Sequence, residues 1–302
     1  MDRIFITGGS GLLGSNIAKM AISKFDVYAS YNNHKVSMEN VSFCQIDLAK
    51  KEEYSLIEQI KPHLIINCAA LTNIDYCEEY ENRAYEQNVL TSCNIAELAR
   101  QIGAYLIHIS TDTVFDGMHG CYKEDDVPRP INVYGRTKLE AERKVLSIYP
   151  SSCIIRTNFY GWNKRDKFSF AEWMLSKLAN NEELPAFEDV YFSPILVNDL
   201  VKILFKLHEK KFHGILHIAG SDFCSKLNFA YMLSEVFAFD RNLIKPISVH
   251  ELKLTAPRGE NISLDVSKAE ELLEAPLPKV REGLKKMRKL QEEGYVEDLK
   301  YG

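Results

Sequence analysis

The segment Arg3–Gly14 constrains the fold more than any other part of the chain. Arg3–Thr7 is a short apolar run that predicts a buried strand, and Gly11–Lys24 has the periodicity of an amphipathic helix. Two overlapping glycine spacings, Gly-x-Gly-x-x-Gly and Gly-x-x-Gly-x-x-Gly, connect them through Gly8, Gly9, Gly11 and Gly14. Both spacings let the backbone turn tightly and approach a pyrophosphate at a helix N-terminus. A plain strand-to-helix turn is the alternative, but the flanking strand and helix favour dinucleotide binding.

The same alternation of strand and helix continues as far as Arg156, which predicts an α/β fold with a Rossmann-type, doubly wound parallel sheet. The predicted strands are Arg3–Thr7, Asp26–Tyr31, Val41–Ile46, Leu64–Cys68, Tyr105–Ile109 and Cys153–Arg156. The predicted helices of this part are Gly11–Lys24, Lys51–Ile60, Arg83–Ile102 and Tyr134–Ile148. We expect residues 1–157 to bind the dinucleotide and residues 158–302 to form a smaller, mainly substrate-binding part. Residues from about 195 to 220 should pack back on the sheet, and the charged tail after Gln291 should be peripheral.

Composition and charge exclude several classes of protein. The net charge of −5 argues against a general nucleic-acid binder, and no apolar stretch is long enough to span a membrane. The chain enters its first strand at Arg3 without a signal-peptide pattern. The seven cysteines are scattered and contain no Cys-x-x-Cys pair, which favours reduced cysteines, a cytoplasmic location and no zinc site.

Tyr134 and Lys138 are the strongest candidates for chemistry. They lie four residues apart on one face of a predicted helix, where the lysine cation should lower the pKa of the phenol. The spacing alone is weak evidence, because the pairs Tyr31/Lys35 and Tyr160/Lys164 share it. The context is more specific: the predicted strand Tyr105–Ile109 ends in Ser110-Thr111-Asp112, and ligands of open parallel sheets bind at such carboxyl ends.

The predicted cofactor is NADP, with NAD as the alternative. NAD sites usually carry an acid after the second strand, whereas Ser30–Lys35 contains none and offers His34 and Lys35 to a 2′-phosphate. Asp47 is placed to accept a hydrogen bond from adenine. The full predicted set of residues around the dinucleotide, apart from Tyr134 and Lys138, is Gly8, Ser10, Gly11, Leu12, Leu13, Asn32, His34, Lys35, Asp47, Leu48, Cys68, Ala69, Ala70 and Asn88.

Together these segments resemble the extended short-chain dehydrogenase/reductases, and within them the dTDP-4-dehydrorhamnose reductases. The motifs that carry the resemblance are Thr7-Gly8-x-x-Gly11-x-x-Gly14, Asn67-Cys-Ala-Ala70, Ser110-Thr-Asp-Thr-Val-Phe-Asp-Gly117, Pro130-x-Asn132-x-Tyr134-Gly135-x-x-Lys138 and Glu142. The resemblance implies that Tyr134 protonates a reduced carbonyl oxygen, that Lys138 lowers its pKa and holds the nicotinamide ribose, and that Thr111 hydrogen-bonds the carbonyl. Asn88 would correspond to a helix asparagine seen in many members, although an ordinary helix position is nearly as compatible.

The implied substrate is a nucleotide-linked 4-keto-6-deoxy sugar. The residues predicted to line its pocket are Thr111, Asp112, Val114, Asn158, Tyr160, Trp162 and Arg258. Core packing is an equal alternative for Tyr160, and a structural salt bridge is an equal alternative for Arg258. Thr113 and the order Pro257-Arg258 depart from the familiar pattern of the subgroup. The first helix carries Asn16 and no acid, so no metal is expected, and a homodimer is compatible with the sequence.

Two other functions remain open at this point. A non-catalytic binding subunit, resembling the regulatory subunit of methionine adenosyltransferase, would also keep the Tyr-x3-Lys spacing and a bound dinucleotide. An epimerase or dehydratase of nucleotide sugars is less favoured, because Asp112 is followed by Thr113 where dehydratases often have a second acid.

Overall fold

Seven parallel strands form the central sheet in a computed structural model that describes residues 1–302. The strands of this sheet are β1 (Asp2–Thr7), β2 (Phe25–Tyr31), β3 (Val41–Gln45), β4 (Leu64–Asn67), β5 (Tyr105–Ile109), β6 (Cys153–Arg156) and β11 (Gly214–His217). Their spatial order is β11-β6-β5-β4-β1-β2-β3, so the direction of winding reverses between β1 and β4. Ligands of such sheets bind at this switch point. The predicted fold class is confirmed.

Helices cover both faces of the sheet, which explains why its central strands are continuous apolar runs. Alternate residues of β1 serve opposite faces, since Ile4 and Ile6 belong to one core cluster and Phe5 to the other. The helices of the first part are α1 (Leu12–Ala21), α2 (Ser55–Ile60), α3 (Ile74–Glu79), α4 (Glu81–Tyr85), α5 (Thr91–Ile102) and α6 (Val133–Ile148).

The long helix predicted over Arg83–Ile102 is interrupted. A π-helical turn, Glu86–Leu90, separates α4 from α5. Such turns occur mostly as single bulges and often lie at functional sites. No helix forms between β2 and β3, where the connection is short and polar.

The second part of the chain adds three two-stranded sheets and six helices. Its strands outside the main sheet are β7 (Phe159–Tyr160), β8 (Leu184–Phe187), β9 (Tyr191–Phe192), β10 (Ile195–Leu196), β12 (Cys224–Ser225) and β13 (Ile244–Ile247). Its helices are α7 (Phe170–Ala179), α8 (Val197–Lys210), α9 (Lys226–Phe237), α10 (Ser267–Leu273), α11 (Val280–Glu292) and α12 (Tyr295–Tyr301). The segment from β10 to β11 returns to the main sheet: α8 packs on α1, and β11 pairs with β6.

The expectation of a peripheral C-terminal tail is wrong. Leu299 of α12 is fully buried, the Tyr295 hydroxyl donates to Asn16 Oδ1 at 2.8 Å, and Lys19 pairs with Asp298 at 2.6 Å. The helix is short and charged, so its one apolar face is too small to be recognised from periodicity. None of the helices is both long and apolar enough to cross a membrane.

Candidate active site

The turn after β1 brings backbone, rather than side chains, to the edge of the sheet. Gly8 has φ +65°, and a Cβ on Gly14 would lie 2.3 Å from the Gly8 carbonyl oxygen. No side chain caps the N-terminus of α1 at Gly11, so the first N–H groups of the helix stay available. An uncapped helix N-terminus with a partial positive charge suits a phosphate group.

Next to this turn lies a small cavity at the end of β2. Its lining residues are Gly8, Ser30, Tyr31, Asn32, Ile46, Leu48, Ala69, Gln87 and Thr91. Four of them, Gly8, Asn32, Leu48 and Ala69, are among the residues predicted from the sequence. The other five, Ser30, Tyr31, Ile46, Gln87 and Thr91, are not in the predicted set, because no local pattern shows that the region of the π-helical turn lies close to the end of β2.

Asp47 does not line this cavity. Its carboxylate accepts a hydrogen bond from the Ala49 amide at 3.1 Å and lies 3.7 Å from Lys50 Nζ. The acid therefore stabilises its own turn.

His34 and Lys35 line a second, wider cleft, to which the neighbouring Asn33 also contributes. The other cationic residues of its lining come from remote segments, namely Lys164, Arg165, Lys167 and Lys300. Lys164 also donates to the Leu299 carbonyl at 2.9 Å, which ties α12 to this cleft. The concentration of cations favours an anion here, although the net charge of the chain is negative.

Tyr134, Thr111 and Lys138 are all buried at the carboxyl end of β5 and the start of α6. Asn132 begins this helix, since its side chain accepts from the Gly135 amide at 2.8 Å. Burial raises the pKa of Tyr134, and the neighbouring Thr111 hydroxyl acts in the opposite direction. The Lys138 ammonium donates to the Ile109 carbonyl at 2.7 Å, and its effect on the pKa of Tyr134 stays a prediction.

A buried hydrogen-bond chain connects Lys138 to the glycine turn across three strands. Thr7 Oγ1 donates to Asn67 Oδ1 at 2.6 Å, and Asn67 Nδ2 lies 3.0 Å from His108 Nδ1. His108 Nε2 lies 3.5 Å from Lys138 Nζ, and the Ala69 amide donates to Thr7 at 3.1 Å. Burial is the main cause that holds the pKa of His108 well below its ordinary value, and the positive charge of Lys138 lowers this pKa further. The imidazole is therefore neutral and fixes the ammonium by position, not by charge.

Asp112 is fully buried at the centre of a polar cluster. Its carboxylate lies 3.1 Å from Thr111 Oγ1 and 3.2 Å from Thr113 Oγ1, and it accepts from Asn158 Nδ2 at 2.8 Å. Burial raises the pKa of this carboxyl, while the Asn158 hydrogen bond and the charge of Lys226 oppose the shift. Asp112 and Asn158, both predicted for the substrate pocket, thus lie together beside Thr111.

Three other predicted pocket residues lie in the core instead. Val114 is fully buried, the Tyr160 hydroxyl donates to the Val280 carbonyl at 3.3 Å, and Trp162 Nε1 donates to the Met287 carbonyl at 2.9 Å. The polar atoms of both aromatic residues are committed to the backbone of α11. Tyr160 and Trp162 thus hold α11 against the rest of the fold, and a role of the three residues in the sugar pocket stays a prediction.

Arg258 and Asn88 also have partners within the protein. Arg258 Nη2 pairs with Asp75 at 2.8 Å, and its Nη1 donates to the Ala256 carbonyl at 2.7 Å. Asn88 accepts from the Leu71 amide at 2.8 Å and lies 3.0 Å from Thr137 Oγ1. Asn88 thus braces the loop after β4 against α6, and its contact with a cofactor stays a prediction.

A family model described as the RmlD substrate binding domain matches residues 1–292. The chain belongs to this family. This match confirms the resemblance that we predicted from the glycine turn, from the segment Ser110–Gly117 and from the pair Tyr134 and Lys138. The turn after β1 and the group Thr111, Tyr134 and Lys138 lie at the same carboxyl edge of the sheet.

Two curated relatives illustrate the range of proteins that this family member resembles. A dTDP-4-dehydrorhamnose reductase of Aggregatibacter actinomycetemcomitans is 31% identical over 288 residues, which cover 90% of this chain and 93% of the relative. The methionine adenosyltransferase 2 subunit beta of Rattus norvegicus is 32% identical over 282 residues, which cover 89% and 82%. A crystal structure of dTDP-4-dehydrorhamnose reductase from Bacillus anthracis in complex with NADP aligns with a TM-score of 0.85 at 27% identity, covering 95% of this chain and 99% of that one.

Proposed function

We propose that this chain is an NADPH-dependent reductase of a nucleotide-linked 4-keto-6-deoxy sugar, with dTDP-4-dehydrorhamnose as the expected substrate. The observation that carries the proposal is the convergence of Thr111, Tyr134 and Lys138 beside a dinucleotide cleft. The family and the reductase relatives support the substrate class. A cytoplasmic location and a homodimer stay predictions.

The residues at the sheet edge fit a dinucleotide. Gly8 and Gly14 keep the turn free of side chains that would fill the cradle, and the uncapped N-terminus of α1 offers N–H groups to the pyrophosphate. The cavity between Ser30 and Ala69 would hold the adenosine. When bound, the nicotinamide supplies the hydride for the sugar ketone, and the protein supplies orientation and charge.

The chain's own residues would handle the proton and the developing negative charge. Tyr134 donates its phenolic proton to the ketone oxygen, and Thr111 donates a hydrogen bond to the same atom. The Lys138 ammonium stabilises the phenolate that Tyr134 leaves behind. His108 and the Ile109 carbonyl hold that ammonium in place, at 3.5 and 2.7 Å respectively.

The function is tested by following the loss of NADPH absorbance with a panel of nucleotide 4-keto sugars. Turnover of one of them supports the reductase. The methionine adenosyltransferase subunits among the relatives favour a second candidate, a binding subunit. Dinucleotide binding without turnover of any nucleotide sugar would support that candidate and overturn the reductase.

The first prediction from this proposal concerns cofactor choice. NADPH should bind at least about tenfold more tightly than NADH, or about 1.4 kcal/mol, because Ser30–Lys35 has no acid and adjoins a cation-lined cleft. Calorimetric titration of both cofactors checks this. Lys35→Ala should reduce the preference, whereas Lys206→Ala, at an exposed position of α8, should leave it intact. A wild-type protein that prefers NADH would contradict the assignment.

The second prediction concerns pH. Burial lowers the pKa of Lys138 to about 8, an effect partly offset by Glu142 and Cys68. A lysine with a lowered pKa is charged below that value and neutral above it, so kcat/KM should fall roughly tenfold per pH unit above pH about 8. Lys138→Arg should be slower but show no such decline, because a guanidinium stays protonated. A decline that persists in Lys138→Arg would assign it to another group.

A further inference from the structure

The segment 255–259, which we call the strap, forms neither a helix nor a strand. Among its residues only Ala256 is buried. A segment with so few buried apolar contacts is held mainly by its hydrogen bonds and can open locally. The partners of these hydrogen bonds therefore decide where the strap lies.

Three hydrogen bonds join the strap to the rest of the protein, and all of them go to Asp75 or Asn132. The Ala256 amide donates to Asp75 Oδ1 at 3.0 Å, and Arg258 Nη2 donates to Asp75 Oδ2 at 2.8 Å. Asn132 Nδ2 donates to the Pro257 carbonyl at 3.0 Å. Two side chains that are remote from the strap in sequence thus hold it in place.

The strap lies at the carboxyl edge of the sheet, beside the start of α6. Asp75 belongs to α3, which follows β4, and Asn132 lies two residues before Tyr134. Gly117 belongs to the segment after β5, and a Cβ on Gly117 would lie 2.5 Å from the Gly259 Cα. The strap thus contacts the segments that follow β4 and β5, at the edge where ligands of such sheets bind.

Asn132 serves two elements with one amide group. Its Oδ1 accepts from the Gly135 amide at 2.8 Å and caps α6, whereas its Nδ2 holds the strap. Asn132 is fully buried, so loss of the bond to Pro257 would leave a buried donor without its partner, which is costly. The closed position of the strap and the start of the helix that carries Tyr134 are therefore fixed by the same residue.

We propose that Asp75 and Asn132 are positioning residues that hold the strap, and with it Arg258, against the diphosphate of the bound nucleotide sugar. This inference rests on the proposed function and adds the segment that retains the substrate. The bonds of Arg258 to Asp75 and Ala256 use two of the five N–H donors of the guanidinium. The other donors serve the diphosphate, for which an Arg fork is well suited. Local opening of the strap admits the substrate.

The test compares KM and kcat for reduction of dTDP-4-dehydrorhamnose by NADPH in variants that release the strap. Asp75→Ala removes two of the three bonds and should raise KM roughly 10- to 100-fold, while kcat changes less than about threefold. Asn132→Ser loses the donor to Pro257 but keeps an oxygen that can cap α6, so KM should rise about 3- to 10-fold. The affinity for NADPH should stay unchanged in both variants.

Asn73→Ala is the matched control. Asn73 caps the helix that carries Asp75 by accepting from the Tyr76 amide at 3.0 Å, but it forms no bond to the strap, so KM should not change. Amide hydrogen exchange measured by mass spectrometry follows the strap directly. Binding of dTDP should slow exchange in the strap peptide of wild type and have little effect on that peptide in Asp75→Ala.

The outcomes separate this inference from the proposed function. If wild type reduces no nucleotide sugar while dTDP still slows exchange in the strap, the reductase function fails and the role of the strap stands. If wild type turns over but both variants keep its KM, or dTDP leaves the exchange unchanged, the role of the strap is overturned. A lower melting temperature with unchanged KM would make Asp75 and Asn132 structural only. Asp75→Asn, which keeps an oxygen for the Ala256 amide, provides the same comparison if Asp75→Ala folds poorly.

Discussion

Tyr134→Phe is expected to lower kcat for reduction of the nucleotide 4-keto sugar by about 100- to 10,000-fold, or roughly 3–5 kcal/mol in barrier. The change removes one hydroxyl and keeps the ring, so the packing of Tyr134 against Cys77, Ala84 and Val133 should persist. The transition state loses its proton donor. Single-turnover measurements with NADPH and the keto sugar give the rate of the chemical step.

The cofactor should still bind to Tyr134→Phe, because Lys138 and the Gly8–Gly14 turn are unchanged. Titration with NADPH checks this point. Tyr149→Phe is the matched control, since Tyr149 lies at the other end of α6 and packs on a different core cluster. If Tyr134→Phe keeps most of the wild-type rate, another group is the acid, although the reductase function would stand.

Glu142→Ala is expected to destabilise the protein by about 3–5 kcal/mol, the usual cost of removing one partner of a buried ion pair. Glu142 and Arg156 are both almost fully buried, and three contacts of 2.8 to 3.2 Å join them. Ser110 Oγ also donates to Glu142 at 2.5 Å. The substitution leaves the positive charge of the buried Arg156 guanidinium without its carboxylate partner. Urea unfolding measures the loss of free energy.

Glu140→Ala is the control for this prediction. Glu140 lies on the same helix and pairs with Lys144 at 3.6 Å, but both side chains are more than two-fifths exposed. An exposed pair of this kind contributes only about 0.3–0.5 kcal/mol. The double substitution Glu142→Leu with Arg156→Met should recover much of the stability, because a buried pair can be replaced by apolar groups. Equal, small losses in both single variants would refute a structural role for the buried pair.

Some parts of the site could be predicted because their conformation depends on residues that are close together in the sequence. The turn from β1 to α1 requires glycine at particular positions, and the observed φ of Gly8 and the contact of Gly14 with Gly8 explain why. The strand before Ser110 is a continuous apolar run, so its end could be located to the residue. Tyr134 and Lys138 follow from helix periodicity once Asn132 is recognised as the cap.

Other parts depend on neighbours that are remote in sequence. Tyr160 and Trp162 could not be placed from the sequence, since aromatic residues suit a sugar pocket and a core equally, and the α11 backbone to which they donate is remote in sequence. Arg258 pairs with Asp75, and His108 lies against Lys138. In both cases the partner likewise comes from another element of the fold. A pairwise contact of this kind leaves no periodic signal in either segment.

The sequence by itself thus determined the first six strands of the main sheet, the glycine turn after β1 and the candidate group Thr111, Tyr134 and Lys138. These features follow from periodicity, turn geometry and capping, which act within a few residues. Only the tertiary structure decided that Lys138 lies against His108 and that α12 packs on α1. The physical reason is that burial and electrostatic partners are properties of packed elements, and packing brings together residues that no local pattern connects.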